Sequence, residues 1–280
     1  MTGSAGWMVR WPELRPRVLE VFVVFNLAFL ALDIYLAHSV NAFAKLGEWI
    51  PFYFSLAGSA VLAVAVWRDR CLPDGSWAKP VGSVIGYLSI AVGIAGLFYH
   101  LDSQFFQQMS LQSMVYTAPL AAPLSYVGLG FLLLLNRHIR GESREWQQWV
   151  LLFTCGGFVG NFGLSLADHA QNGFFHWTEW IPVFSSAFAI GFLGVSLWDL
   201  GRPFQRLSSV ILMVQAAVGV LGFGLHLGAD VNGLSANAFQ NFIYGAPLFA
   251  PLLFTDLFLL GAIGLAEAWL PAGPLPDAAG

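Results

Sequence analysis

Long apolar stretches of nearly uniform length run through the chain, separated by short polar breaks. Eight of them stand out, at about 18–40, 50–67, 81–100, 115–136, 149–169, 180–198, 207–227 and 242–268. Each is close to the roughly 20 residues that a helix needs to cross about 30 Å of hydrocarbon. The pattern predicts an all-α integral membrane protein with eight transmembrane helices. A basic, aromatic segment at 1–17 leads into the first span. The end of the chain, 269–280, is rich in Pro, Ala and Gly and is expected to be disordered.

The polar positions between the apolar runs are not random. His38 to Pro51 returns, without a gap, as His169 to Pro182. Asn41 falls on Asn172, Phe43 on Phe174, and Glu48-Trp49-Ile50-Pro51 on Glu179-Trp180-Ile181-Pro182. Further on, Gly93, Gly96 and His100 match Gly219, Gly222 and His226. The box Tyr116-x-Ala118-Pro119-Leu120-x-Ala122-Pro123-Leu124 returns as Tyr244-x-Ala246-Pro247-Leu248-x-Ala250-Pro251-Leu252. Apolar composition makes helices look alike, but it does not align His, Asn, Glu and Trp in register. The expected organisation is two tandem four-helix repeats, 18–136 and 149–268, joined by a linker at 137–148. An even number of spans per repeat gives both halves the same orientation, related by an axis along the membrane normal.

Composition and charge add a direction. Only 10% of the residues are charged, against about 25% in an ordinary soluble domain, and mean hydropathy is +0.68, so the lipid bilayer is the expected partner. Eleven of the twelve Lys and Arg residues lie before span 1 or after spans 2, 4 and 6. The excess of positive charge on cytoplasmic loops then places both termini in the cytoplasm of a bacterial-type inner membrane. Two cysteines, Cys71 and Cys155, are too few for a thiolate metal site and are not expected to pair. No nucleic-acid patch, phosphate-binding glycine loop or nucleophile triad is visible.

Five of the six histidines fall on the opposite, cation-poor side. His38, His100, His169 and His226 end the four outward-running spans, and Glu48 and Glu179 follow in the first outer loop of each half. Imidazole with carboxylate suits Zn, Cu, Fe or Mn, so a transition metal is expected on His38, Glu48 and His100 and on His169, Glu179 and His226, as one mononuclear site per half or a single binuclear site that the halves share. Asn41 and Asn172 are candidates to orient the imidazoles. The same residues also suit a purely structural role, with Glu at a helix start, Pro in the first turn and Trp at the interface. Gly93 and Gly96 share a stripe with His100, as Gly219 and Gly222 do with His226, which leaves room either for haem b on His100 and His226 or for close helix packing.

Two acids, Asp33 and Asp256, lie deeper and are expected to face a cavity or a partner such as Asn26, Asn161 or Gln215. The paired prolines predict kinked or locally open spans 4 and 8. Four functions follow as alternatives. The first is an outward His/Glu metal site with a redox or metal-handling role. The others are a haem b- or quinone-binding anchor of a respiratory oxidoreductase with a respiratory or periplasmic partner protein, a carrier for a small solute or ion, and a ligand-free scaffold. The residues fix neither a reaction nor an oligomeric state.

Overall fold

A computed structural model describes residues 3–71, 77–119, 121–198 and 201–270, with the side chains of 3–10 and 121 left aside. Residues 271–280 of the expected disordered tail lie outside the described residues. The long helices are α1 (Gly3–Ser39), α2 (Trp49–Cys71), α3 (Ala78–Ser103), α6 (Ala121–His138), α7 (Arg144–Gln171), α8 (Trp180–Ser196), α9 (Arg202–Val231) and α11 (Leu252–Leu265). Between them lie short helices α4 (Phe105–Gln108), α5 (Leu111–Tyr116) and α10 (Ala238–Tyr244), and 3-10 turns at Leu46–Glu48, Trp177–Glu179 and Ala266–Trp269. No strand occurs among the described residues.

Among the described residues, seven segments are long and apolar enough to cross a membrane: α1, α2, α3, α7, α8, α9, and α11 with the turn that follows it. Their flanks agree, since Phe25, Val64 and Phe188 in mid-helix are 73%, 61% and 63% exposed. Such a surface is unfavourable in water and suits lipid. The chain is an all-helical, multi-pass membrane protein.

The expected fourth span, 115–136, is divided. Thr117 is extended (ψ 163°) where α5 ends, and α6 starts only at Ala121 with 18 residues. Prolines explain the break. Pro119 has no N–H to give to a helix and biases Ala118 to extended backbone, while Pro123 sits in the first turn of α6, where the missing donor costs nothing. The same chemistry acts before α11, which begins directly after Pro251. At the other end of the chain, the expected lead-in is already helical from Gly3, so α1 runs through Pro12 and Pro16 without a break.

Helices α1, α2, α3 and α6 pack in a closed ring, each touching the next, and α7, α8, α9 and α11 do the same. The rings meet where α1 touches α11 and α10 and where α6 touches α7. One core joins Leu19, Val23, Leu27, Leu62 and Leu133 to Trp146 and Leu260 across the junction. The second is local to its ring and includes Phe158, Leu193 and Leu212.

Polar side chains lock the cation-rich end. Arg15 is 1% exposed, meets Glu267 at 2.6 Å, and donates to the carbonyls of Gly141 and Ser143. Arg137 pairs with Glu20 and donates to the Ala78 and Lys79 carbonyls at the start of α3. Arg206 donates to the Ala268 carbonyl at 2.8 Å. Each guanidinium thus ties a loop or helix end to a neighbouring helix through charge-assisted hydrogen bonds to its carbonyls. Deeper, Asn26 on α1 donates to Asp256 on α11 at 2.9 Å, a polar tie between the rings that meets the expectation of a buried partner for that acid.

Candidate functional site

At the end away from the arginines, α1 and α7 finish in the same way. The amides of Asn41 and Phe43 return to the His38 carbonyl, and those of Asn172 and Phe174 return to the His169 carbonyl. Closing that turn needs left-handed backbone at Ala42 (φ 55°) and Phe43 (φ 52°), and at Gly173 (φ 69°) and Phe174 (φ 51°). Left-handed backbone is costly for a residue with a Cβ. The compensation is aromatic: Phe43 stacks on Trp49 at 4.1 Å and Phe174 on Trp180 at 3.8 Å between ring centroids. This stack folds each outer loop back so that the glutamate of the 3-10 turn lies over the histidine.

In the first ring, Glu48 Oε2 stands 3.9 Å from His38 Nδ1, and the His38 and His100 rings are 6.4 Å apart. In the second, Glu179 Oε2 stands 3.7 Å from His169 Nδ1, and His226 borders the same cavity as both. The carboxylates are 12% and 15% exposed. In each, Oε2 is buried and has no hydrogen-bond partner among the described residues. A buried acceptor without a donor costs roughly 1–3 kcal/mol, more for a charge.

The second imidazole of each set is held by the proline box. His100 Nδ1 lies 2.7 Å from the Pro119 carbonyl, and His226 Nδ1 lies 2.8 Å from the Pro247 carbonyl. A carbonyl only accepts, so Nδ1 is the donor, and in the neutral imidazole that leaves the lone pair on Nε2. The carbonyl is itself aimed by the residues around it. The Ala118 amide donates to Ser103 Oγ at 3.0 Å in one ring, and the Ala246 amide donates to Asp230 Oδ1 at 2.8 Å in the other. The twinned boxes carried the signal for this. Each proline follows its histidine by 19 or 21 residues, but only the fold shows that an open backbone receives an imidazole.

Asn41 and Asn172 do not orient the histidines. Helix α1 ends at Ser39, so Asn41 falls in the turn, where Nδ2 donates to Glu48 Oε1 at 2.9 Å. Asn172 closes α7, and Glu179 Oε1 instead takes the His176 amide at 3.3 Å. The glycine stripes are filled by helices. A Cβ at Gly93 would stand 2.7 Å from the Pro123 carbonyl oxygen, and one at Gly219 would stand 2.9 Å from the Pro251 carbonyl oxygen. These positions let α6 and α11 approach and offer no groove for a macrocycle. Asp33 and Asp256 lie below the histidines, and Asp256 is taken up by Asn26.

Among the described residues, no group of three or more His, Cys, Asp or Glu side chains is gathered to hold a metal ion as they stand. The His–Glu donor atoms stand 3.9 and 3.7 Å apart, a little wider than the roughly 3.4 Å between two donors that each sit about 2.1 Å from a shared tetrahedral ion. Cys71 and Cys155 are free thiols, one exposed and one half-buried.

A feature not foreseen from the sequence is a cavity of about 740 Å³ in the second ring. It reaches from His176 and Thr178 at the loops down to Asn161 and Phe254 inside the helices. Comparison of the chain with known protein families, characterised proteins and solved structures gives no match.

Proposed function

We propose that this is a tandem-repeat inner-membrane protein of two four-helix units, eight spans in all, that binds a transition metal at the outer end of each unit. His38, Glu48 and His100 form one ligand set, and His169, Glu179 and His226 form the other. One observation carries the reading: in both units a buried glutamate oxygen without a donor lies beside imidazoles, one of which turns its Nδ1 to a prolyl carbonyl and so keeps Nε2 out of that bond. A divalent cation supplies the positive charge that the carboxylate lacks, and the prolyl carbonyls act as the outer acceptors that fix ligating histidines. The matching turns, stacks and carbonyl contacts of the two rings support the repeat. The arginine-rich end supports cytoplasmic termini.

The test is elemental analysis of detergent-purified protein, with visible spectra of the oxidised and reduced forms. Wild type should carry Fe, Cu, Zn or Mn, and Glu48→Gln with Glu179→Gln should lose it while keeping its helical circular dichroism. A folded, metal-free wild type refutes the proposal. A Soret band would instead assign His100 and His226 to haem b.

A further inference from the structure

The two rings differ where α7 faces its own interior. Asn161, Ser165, Asp168 and Asn172 recur at intervals of three and four residues, so they form one polar stripe down the helix, and all four line the cavity. The positions 131 residues earlier, under Asn161, Ser165 and Asp168, hold Leu30, Ile34 and Ala37. There Ile34 is part of the packed core and Leu30 rests on it. The second ring has therefore given up side-chain packing for a polar wall, and burying such a wall is costly unless something bonds to it.

Opposite the stripe stand Val218, Leu221 and Leu225 of α9 and Phe254 of α11, whose ring is backed edge-to-face by Phe158 at 6.1 Å. One wall is polar and the other apolar with an aromatic face. Among the described residues no Lys or Arg lines the cavity, while Asp168 and Glu179 do, which disfavours an anionic guest. At its floor Asn161 is 5% exposed, and its amide nitrogen has no partner among the described residues. From His169 to Asn161 is eight residues of helix, about 12 Å of depth.

We propose that this cavity binds a neutral amphipathic molecule of the phenol or hydroquinone class, admitted from the outer end of the second ring. A hydroxyl both donates, as Asp168 requires, and accepts, as the Asn161 amide requires. The aromatic ring lies against Phe254 and the aliphatic wall of α9. The site goes beyond the metal proposal and needs no ion in either ring.

The experiment is calorimetric titration of the purified full-length chain in detergent, without oxygen, using 2-decylhydroquinone and its dimethyl ether. Saturable binding of the hydroquinone to wild type is expected. Binding should be about tenfold weaker for the ether, which cannot donate, and for Asn161→Leu, and should be lost in Leu164→Trp, which fills the space. Metal content measured on the same preparations should be unchanged in both variants, so the two proposals fail separately. Absence of saturable binding to wild type, or an ether that binds as tightly as the hydroquinone, overturns the assignment. If Asn161→Leu does not fold, the ether comparison and Leu164→Trp still decide.

Discussion

Gly93 is the position at which the packing argument and the haem alternative part company most sharply. A methyl group there would stand 2.7 Å from the Pro123 carbonyl oxygen, 2.7 Å from Val127 Cγ2 and 2.9 Å from the Val127 backbone nitrogen. Two of the three atoms are backbone of α6, so relief requires the helix to move rather than a side chain to turn. Overpacking of this kind costs about 1–3 kcal/mol, and rigid neighbours place Gly93→Ala toward the upper end. Gly128 on α6 is the control, because a Cβ there meets nothing within 4 Å. Gly128→Ala should instead gain up to about 1 kcal/mol from helix propensity. The two variants should differ by about 2–4 kcal/mol, and at roughly 2–4 °C per kcal/mol for a chain of this size their melting temperatures should lie about 4–16 °C apart. Thermal unfolding in detergent, followed by circular dichroism, reads this directly. Because α6 follows the Pro119 segment that holds His100, metal content should fall in Gly93→Ala as well. If Gly93→Ala melts at or above Gly128→Ala, the stripe is not a helix contact and the haem groove is restored as its use.

Other consequences can be measured in the same way. Tyr126 accepts from the Ser55 hydroxyl and donates to the Pro51 carbonyl at 3.0 Å, while the matching Phe254 does neither and Ser186 donates to the Pro182 carbonyl directly at 2.7 Å. Tyr126→Phe should therefore cost only about 0.5–1.5 kcal/mol, since Ser55 can copy Ser186; a larger loss in thermal unfolding would mean the tyrosine does more than tether α6 to α2. Ala42→Gly should raise stability, and Gly173→Ala should lower it, by about 0.5–1 kcal/mol each, because both residues are left-handed. Equal melting points for both would refute the turn. Glu267→Ala removes the carboxylate from Arg15 but leaves two carbonyls and partial access to water, so a loss of roughly 1–3 kcal/mol is expected. If Glu267→Ala were as stable as wild type, Arg15 would be held by the carbonyls alone.

The residues alone gave a membrane protein, the outer ends of six of its long helices to within four positions, and the side on which the histidines gather; α6 and α11 start later than expected, at Ala121 and Leu252, because the proline segments open the backbone before them. Hydropathy does this because lipid demands long helices with every backbone donor and acceptor satisfied internally. The in-register return of His, Asn, Glu and Trp also picked out the polar positions that meet in space: His38 with Glu48 and His100, and His169 with Glu179 and His226. Of the three partners expected for the two deep acids, Asn26, Asn161 and Gln215, the fold pairs Asn26 with Asp256. Tertiary structure decided the rest. Helix α1 ends too early for Asn41 to turn toward His38, and that depends on a left-handed turn that no spacing rule encodes. The glycines could have served a macrocycle or a helix, and only the placement of α6 and α11 shows that helices use them. The polar stripe from Asn161 to Asn172 is plain in the sequence once α7 is given. That it faces a cavity, while Leu30 and Ile34 face a packed core, depends on how neighbouring helices fill the space between them, and that volume is set jointly by residues distant in the chain.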